Sequence, residues 1–128
     1  MSLQEKIRVL YHEFGHIIHN TDPELIEQWN DRFTGLGIEL KEETDEYGII
    51  RYRFTSLKDE DLKLFPTPYS EKNMNEHIAE IFSIWMAEPN LFEGEKEEEK
   101  ERQKWADLLQ NSIDRIKAKQ SESKNNQQ

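Results

Sequence analysis

The 128-residue chain contains no cysteine. Disulfides and thiolate metal sites are thereby excluded, so any metal must be held by histidine and carboxylate. No apolar run approaches the roughly 20 residues of a membrane-spanning helix. The N-terminus lacks the apolar core of a secretion signal, which leaves a cytoplasmic address as the default expectation. Positive charge is scarce: 17 Lys and Arg stand against 27 Asp and Glu, a net charge of −10. A chain this acidic offers no basic patch for a phosphate backbone or an anionic lipid surface, which argues against nucleic acid and membrane as partners. Gly-rich phosphate loops and internal repeats are also missing.

Apolar and charged residues each make up 34% of the chain, a polar balance for a globular protein. The shortage of apolar residues is local to the last third. The length fits one domain, expected over residues 1–117, followed by a polar tail at 118–128 that is expected to be disordered.

Residues 3–19 read as a helix. At about 100° per residue, His12, His16 and His19 share one face, and Ile7, Leu10, Phe14, Ile17 and Ile18 lie on the other. Gly15 inside this helix hints at a close packing contact. Thr21 or Asp22 is placed to cap a second helix that starts at Pro23 and runs to about Phe33. Segments 38–42 and 47–55 alternate apolar and charged residues and read as a hairpin. A short helix is expected near 58–64. Phe65-Pro66-Thr67-Pro68 is a stiff connector that delivers Tyr69 to a fixed place. Asn73 or Asn75 caps a further helix through Ala87, with Ile78, Ile81, Phe82 and Trp85 on its buried face. The acidic run 93–102 reads as a solvated helix or linker, and 103–117 as a last helix in which Trp105 and Leu109 are core.

The chemistry concentrates at residues 12–16. Two histidines four apart on one helical face can reach one tetrahedral ion, and Glu13 beside them is suited to hold and deprotonate a water on that ion. Zinc needs a third protein ligand. His19 is read as a support or a plain surface residue, because three ligands from nearly two turns of one helix do not converge on one ion. His77 lies on the flank of its helix and is read as structural. Glu76 and Glu80 form an acidic pair one turn apart that could face the histidines: one could ligate, the other could orient an imidazole. Glu76 also falls three residues after Asn73, so it could instead close a capping box.

The block Tyr69-Ser70-x-x-Asn73-x-x-Glu76-x-x-Ala79-Glu80-x-Phe82 resembles the third-ligand helix of the gluzincin-type metallopeptidases related to anthrax toxin lethal factor and the Pro-Pro endopeptidases. His12-Glu13-Phe14-Gly15-His16 is similar to that family's first zinc helix. The resemblance implies an α+β, mainly helical, zincin-like core in which a histidine helix, a β-hairpin and a glutamate-ligand helix surround Zn2+. It implies His12, His16 and Glu76 as metal ligands, Glu80 as their support, Glu13 as the catalytic base and Tyr69 as an oxyanion donor. The activity implied is zinc-dependent endopeptidase cleavage of a peptide or protein by a metal-activated water.

The chain departs from the family in one respect. Zincin-like domains place a sheet before the first zinc helix and use its edge to bind substrate backbone. Here eleven helical-looking residues precede His12, so the expectation is a minimal or truncated form without that sheet. Two functions stay open at this point: the endopeptidase, and a non-catalytic zinc-binding interaction domain. A further domain or protein partner is compatible with either.

Overall fold

The computed structural model describes residues 1–126. Ser2 starts the first helix with a reciprocal cap. Its hydroxyl accepts from the Glu5 N–H at 3.1 Å, while the Glu5 carboxylate accepts from the Ser2 N–H at 3.0 Å. Helix α1 then runs Leu3–Thr21 and α2 runs Pro23–Gly35, with proline in the first turn where no N–H is needed. Strands β1 (Leu40–Thr44) and β2 (Ile50–Phe54) pair antiparallel with Glu42 opposite Tyr52. Two 3-10 segments follow, Asp59–Leu64 and Pro68–Glu71. Helix α3 is Met74–Ala87, with the Asn73 side chain accepting from the Glu76 N–H at 2.8 Å. After a 3-10 turn at Pro89–Phe92, α4 runs Glu97–Asn126. The fold is therefore α+β and mainly helical. The two-stranded hairpin is the only sheet among the described residues.

The hairpin is shorter than its sequence pattern. Ile38 was expected in a strand, yet its N–H caps α2 by donating to the Phe33 carbonyl at 2.9 Å, and its side chain is buried in the core. Strand pairing therefore starts only after the turn at Gly37, which adopts φ +80°. The Asp45 carboxylate, accepting from the Tyr47 and Ile49 N–H groups, holds the turn between the strands.

Helix α3 is the central element. Its Ile78 and Ile81 share one buried cluster with Leu25, Trp29 and Phe33 of α2, Trp105 and Leu109 of α4, Phe54 of β2 and Phe65 of the connector. His77 lies fully buried among these aromatics. Trp29 Nε1–H donates to its Nδ1 at 3.0 Å, and its Nε2–H donates to the Leu64 carbonyl at 2.9 Å. Burial pushes its pKa down to about 4, against a smaller upward pull from the Leu64 carbonyl, so the ring is neutral. The structural reading of His77 holds.

Three expectations about packing change. First, α1 lies on α3 through its histidine face, so most of the apolar stripe on its other side is left in solvent, and only Ile18 packs on the edge of the core. Leu10 is 54% exposed, Phe14 46% and Ile17 56%. Second, the Asp22 carboxylate does not cap α2. It crosses to α4, where it accepts from Ser112 Oγ at 2.6 Å and from Arg115 Nη2 at 2.8 Å. Third, α4 is one continuous helix across the boundary expected at 102–103 and on past 117. The acidic run supplies its first turns, where carboxylates complement the helix dipole. Glu101 is not solvated: it is buried and paired with Arg32 on α2. Of the tail expected to be disordered, residues 118–126 continue α4, and 127–128 lie outside the described residues.

Candidate metal centre

Gly15 sets the spacing between the two helices that build the site. A Cβ at this position would lie 2.7 Å from the Ala79 Cα, a distance no real contact adopts. The absence of a side chain lets α1 and α3 approach closely. Because His12 and His16 flank Gly15 on α1, and Glu76 and Glu80 flank Ala79 on α3, this approach brings the two pairs face to face.

His12 Nε2 lies 2.8 Å from Glu76 Oε2, His16 Nε2 lies 3.2 Å from Glu76 Oε1, and the two histidine Nε2 atoms are 3.1 Å apart. One ligand atom from each of the three residues can be chosen so that all lie within 4.8 Å of one another. The outer nitrogens are occupied. His12 Nδ1–H donates to Glu80 Oε2 at 2.9 Å, and the other Glu80 oxygen accepts from Thr67 Oγ1 at 2.7 Å. His16 Nδ1 lies 2.8 Å from His19 Nε2, a hydrogen bond either ring can donate. Glu80, which only accepts, fixes the His12 tautomer, and in the His16 tautomer that donates from Nδ1 both Nε2 atoms face the cluster as lone pairs.

In that tautomer three lone-pair donors converge with no proton between them. Glu76 Oε2 is buried and lacks a hydrogen-bond partner, although it sits 2.8 Å from His12 Nε2. With His12 Nδ1–H given to Glu80, His12 Nε2 has no proton to donate across this short contact. A cation at that point satisfies all three. Ligands about 2.0–2.1 Å from a tetrahedral ion lie about 3.3 Å from one another, close to the separations here. The donor set of two imidazoles and one carboxylate suits Zn2+ and other divalent ions. Burial alone would raise the Glu76 pKa. His16, then His12, pull it the other way when they carry a proton toward the carboxylate, and the net shift is downward, toward the ionised form a ligand needs. The Glu76 carboxylate does not return to Asn73, so the capping box left open by the sequence does not form.

His19 is 4% exposed, which removes the surface alternative. Its pKa is lowered to about 4, first by burial and then by the nearby His16, so it is neutral and can accept from His16. Spacing had pointed only to its inability to ligate with the other two. The i, i+3 relation to His16 was the signal for its actual contact. Thr67 gave no chemical signal beyond its place between two prolines. Its hydroxyl both caps the 3-10 turn, accepting from the Ser70 N–H at 3.1 Å, and fixes Glu80.

Tyr69 sits in that turn, with its ring centroid 5.4 Å from that of His12. Its pKa is raised by Glu76 first, then by burial, Glu80 and Glu13, so the phenol keeps its proton. Glu13 projects from α1 beside His12. A cavity of about 470 Å3 opens next to the cluster and is lined by Arg8, Val9, His12, Glu13, Thr67 and Tyr69, among others. It lies within the size range of small-ligand sites.

What the fold and site define is a mainly helical α+β protein with a His-His-Glu cluster able to hold a divalent metal. No protein-family model, no curated protein and no solved structure matches the chain.

Proposed function

We propose that the protein is a zinc-dependent endopeptidase, with His12, His16 and Glu76 as ligands. The observation that carries this reading is the convergence of three lone-pair donors beside a cavity that Glu13 and Tyr69 also line. Bound zinc supplies the Lewis acidity that polarises a peptide carbonyl and makes a water nucleophilic at neutral pH. Glu13 accepts the proton of the attacking water and later delivers it to the leaving amine. The Tyr69 hydroxyl, kept protonated by the surrounding carboxylates, donates a hydrogen bond to the developing oxyanion. Glu80 and His19 hold the two imidazoles in the tautomer and orientation that ligation requires.

One observation favours a second reading, a zinc-bearing interaction domain without catalysis: the exposed apolar stripe of α1 is a surface of the kind that contacts other proteins. The two are separated by one experiment. Protein purified without chelator is assayed for zinc and for cleavage of a mixed peptide library, beside Glu13→Gln. The endopeptidase reading expects one zinc per chain in both proteins and cleavage only in the parent. Zinc with no cleavage favours the interaction domain, and absence of stoichiometric metal overturns both.

A further inference from the structure

The cavity beside the cluster is lined by one cationic side chain, Arg8, and three carboxylates, Glu5, Glu13 and Glu80. Two of the carboxylates are committed: Glu5 accepts from the Ser2 N–H, and Glu80 is held between His12 and Thr67. The third, Glu13, is the proposed base. The Arg8 guanidinium makes no ion pair or hydrogen bond among the described residues. Its backbone, in contrast, is anchored, because the Arg8 carbonyl accepts from buried Ser83 Oγ of α3 at 3.0 Å. A fixed backbone, a free planar donor fork and a cavity wall together make a recognition element for an anion.

Its place relative to the reacting centre limits what that anion is. Arg8 precedes His12 by one turn on the same face, about 6 Å along the helix axis. An extended peptide advances about 3.3 Å per residue. A group held by Arg8 therefore belongs one or two residues from the scissile bond. Guanidinium matches a carboxylate in a bidentate pair. The wall's acidic groups, Glu5, Glu13 and Glu80, would repel a substrate carboxylate, and Arg8 is the group in it that attracts one.

We infer that Arg8 selects substrates carrying a carboxylate one or two residues from the cleaved bond. For an endopeptidase that carboxylate is the side chain of Asp or Glu; a preference for the α-carboxylate of a chain end would mark cleavage from the C-terminus instead. The inference rests on the endopeptidase reading for its chemistry, and it adds the substrate class.

The test uses zinc-loaded protein and matched peptide pairs: Glu against Gln at each position within two residues of the cleaved bond, and free acid against amide at the C-terminus. The parent is expected to favour the carboxylate member by about tenfold or more in kcat/KM, mainly through KM. The pair that shows the preference identifies the source. Arg8→Ala collapses the ratio, Arg8→Lys restores part of it, and Arg8→Glu inverts it toward Lys-bearing peptides. Zinc content and circular dichroism of each variant report its folding. The same pairs are titrated against zinc-loaded Glu13→Gln by fluorescence anisotropy, where the preference is read as affinity without turnover. Cleavage or binding with no difference between pair members overturns the inference while leaving the peptidase reading intact. Carboxylate-selective, Arg8-dependent binding without cleavage of any peptide overturns the peptidase reading and, with it, the placement of the carboxylate relative to a cleaved bond.

Discussion

His12 and His16 each point one nitrogen at the shared centre and rest the other on a fixed partner, Glu80 for the first and His19 for the second. Partners of this kind set ligand orientation, and losing one weakens metal binding by roughly 10–100-fold. His19→Ala and Glu80→Ala are each expected to fall in that range in a competition titration against a chromophoric chelator. Glu76→Ala removes a ligand outright, and the expected result is loss of stoichiometric zinc. If Glu76→Ala binds zinc as tightly as the parent, the third ligand is misassigned. At this scale the ligand spacing was legible, because i, i+4 on a helix is a local relation. Which of its two readings His19 fulfils, support or surface residue, was not, since that depends on which face of α1 is buried.

Burial of that face is a matter of two elements, α1 and α3, and of the one glycine between them. Gly15→Ala forces a methyl against the Ala79 backbone. Overpacking of this kind costs roughly 1–3 kcal/mol, and here it also moves the histidines away from Glu76. The expected outcome is a lower melting temperature together with weaker zinc binding, measured on the same preparation. On the opposite face of α1 the expectation reverses. Leu10→Ser in the exposed stripe should change stability by less than about 0.5 kcal/mol, whereas Leu25→Ala in the core should cost about 2–5 kcal/mol by urea denaturation. The periodicity of α1 was read correctly as two faces. Amphipathicity alone does not say which face a protein buries. Here the polar face is the buried one, because Gly15 packs against Ala79 and His12 pairs with Glu80 across the same contact.

Across the whole molecule, α4 is fastened to α2 and the residue before it by Arg32 with Glu101 and by Arg115 with Asp22, Glu24 and Gln28. Burial of Asp22 alone would raise its pKa. Hydrogen bonds from Arg115 and Ser112, with the Arg115 charge, outweigh burial and hold it below the usual Asp value. A carboxyl with a depressed folded pKa stabilises fully above its unfolded value, near 3.9, and that contribution is lost as pH falls through the lower folded value. Thermal melts of the parent should therefore drop in temperature as pH is lowered below about 4. Asp22→Asn should be less stable at pH 7 by roughly 1–3 kcal/mol and should show less of this acid dependence.

The sequence by itself determined the helices, the hairpin, the aromatic core and the histidine pair of the candidate metal centre. These follow from local periodicity, capping and side-chain chemistry, whereas Glu76 as third ligand was implied by the resemblance of the Tyr69–Phe82 block. Tertiary structure decided what depends on neighbours distant along the chain: that Gly15 meets Ala79, that Asp22 serves α4 rather than its own helix, and that Ile38 caps α2 instead of extending a strand. It also turned the histidines inward and left Leu10, Phe14 and Ile17 in solvent. The physical reason is common to all of them. A side chain or backbone group takes the partner that satisfies it best in three dimensions, and spacing along the chain limits that choice without making it.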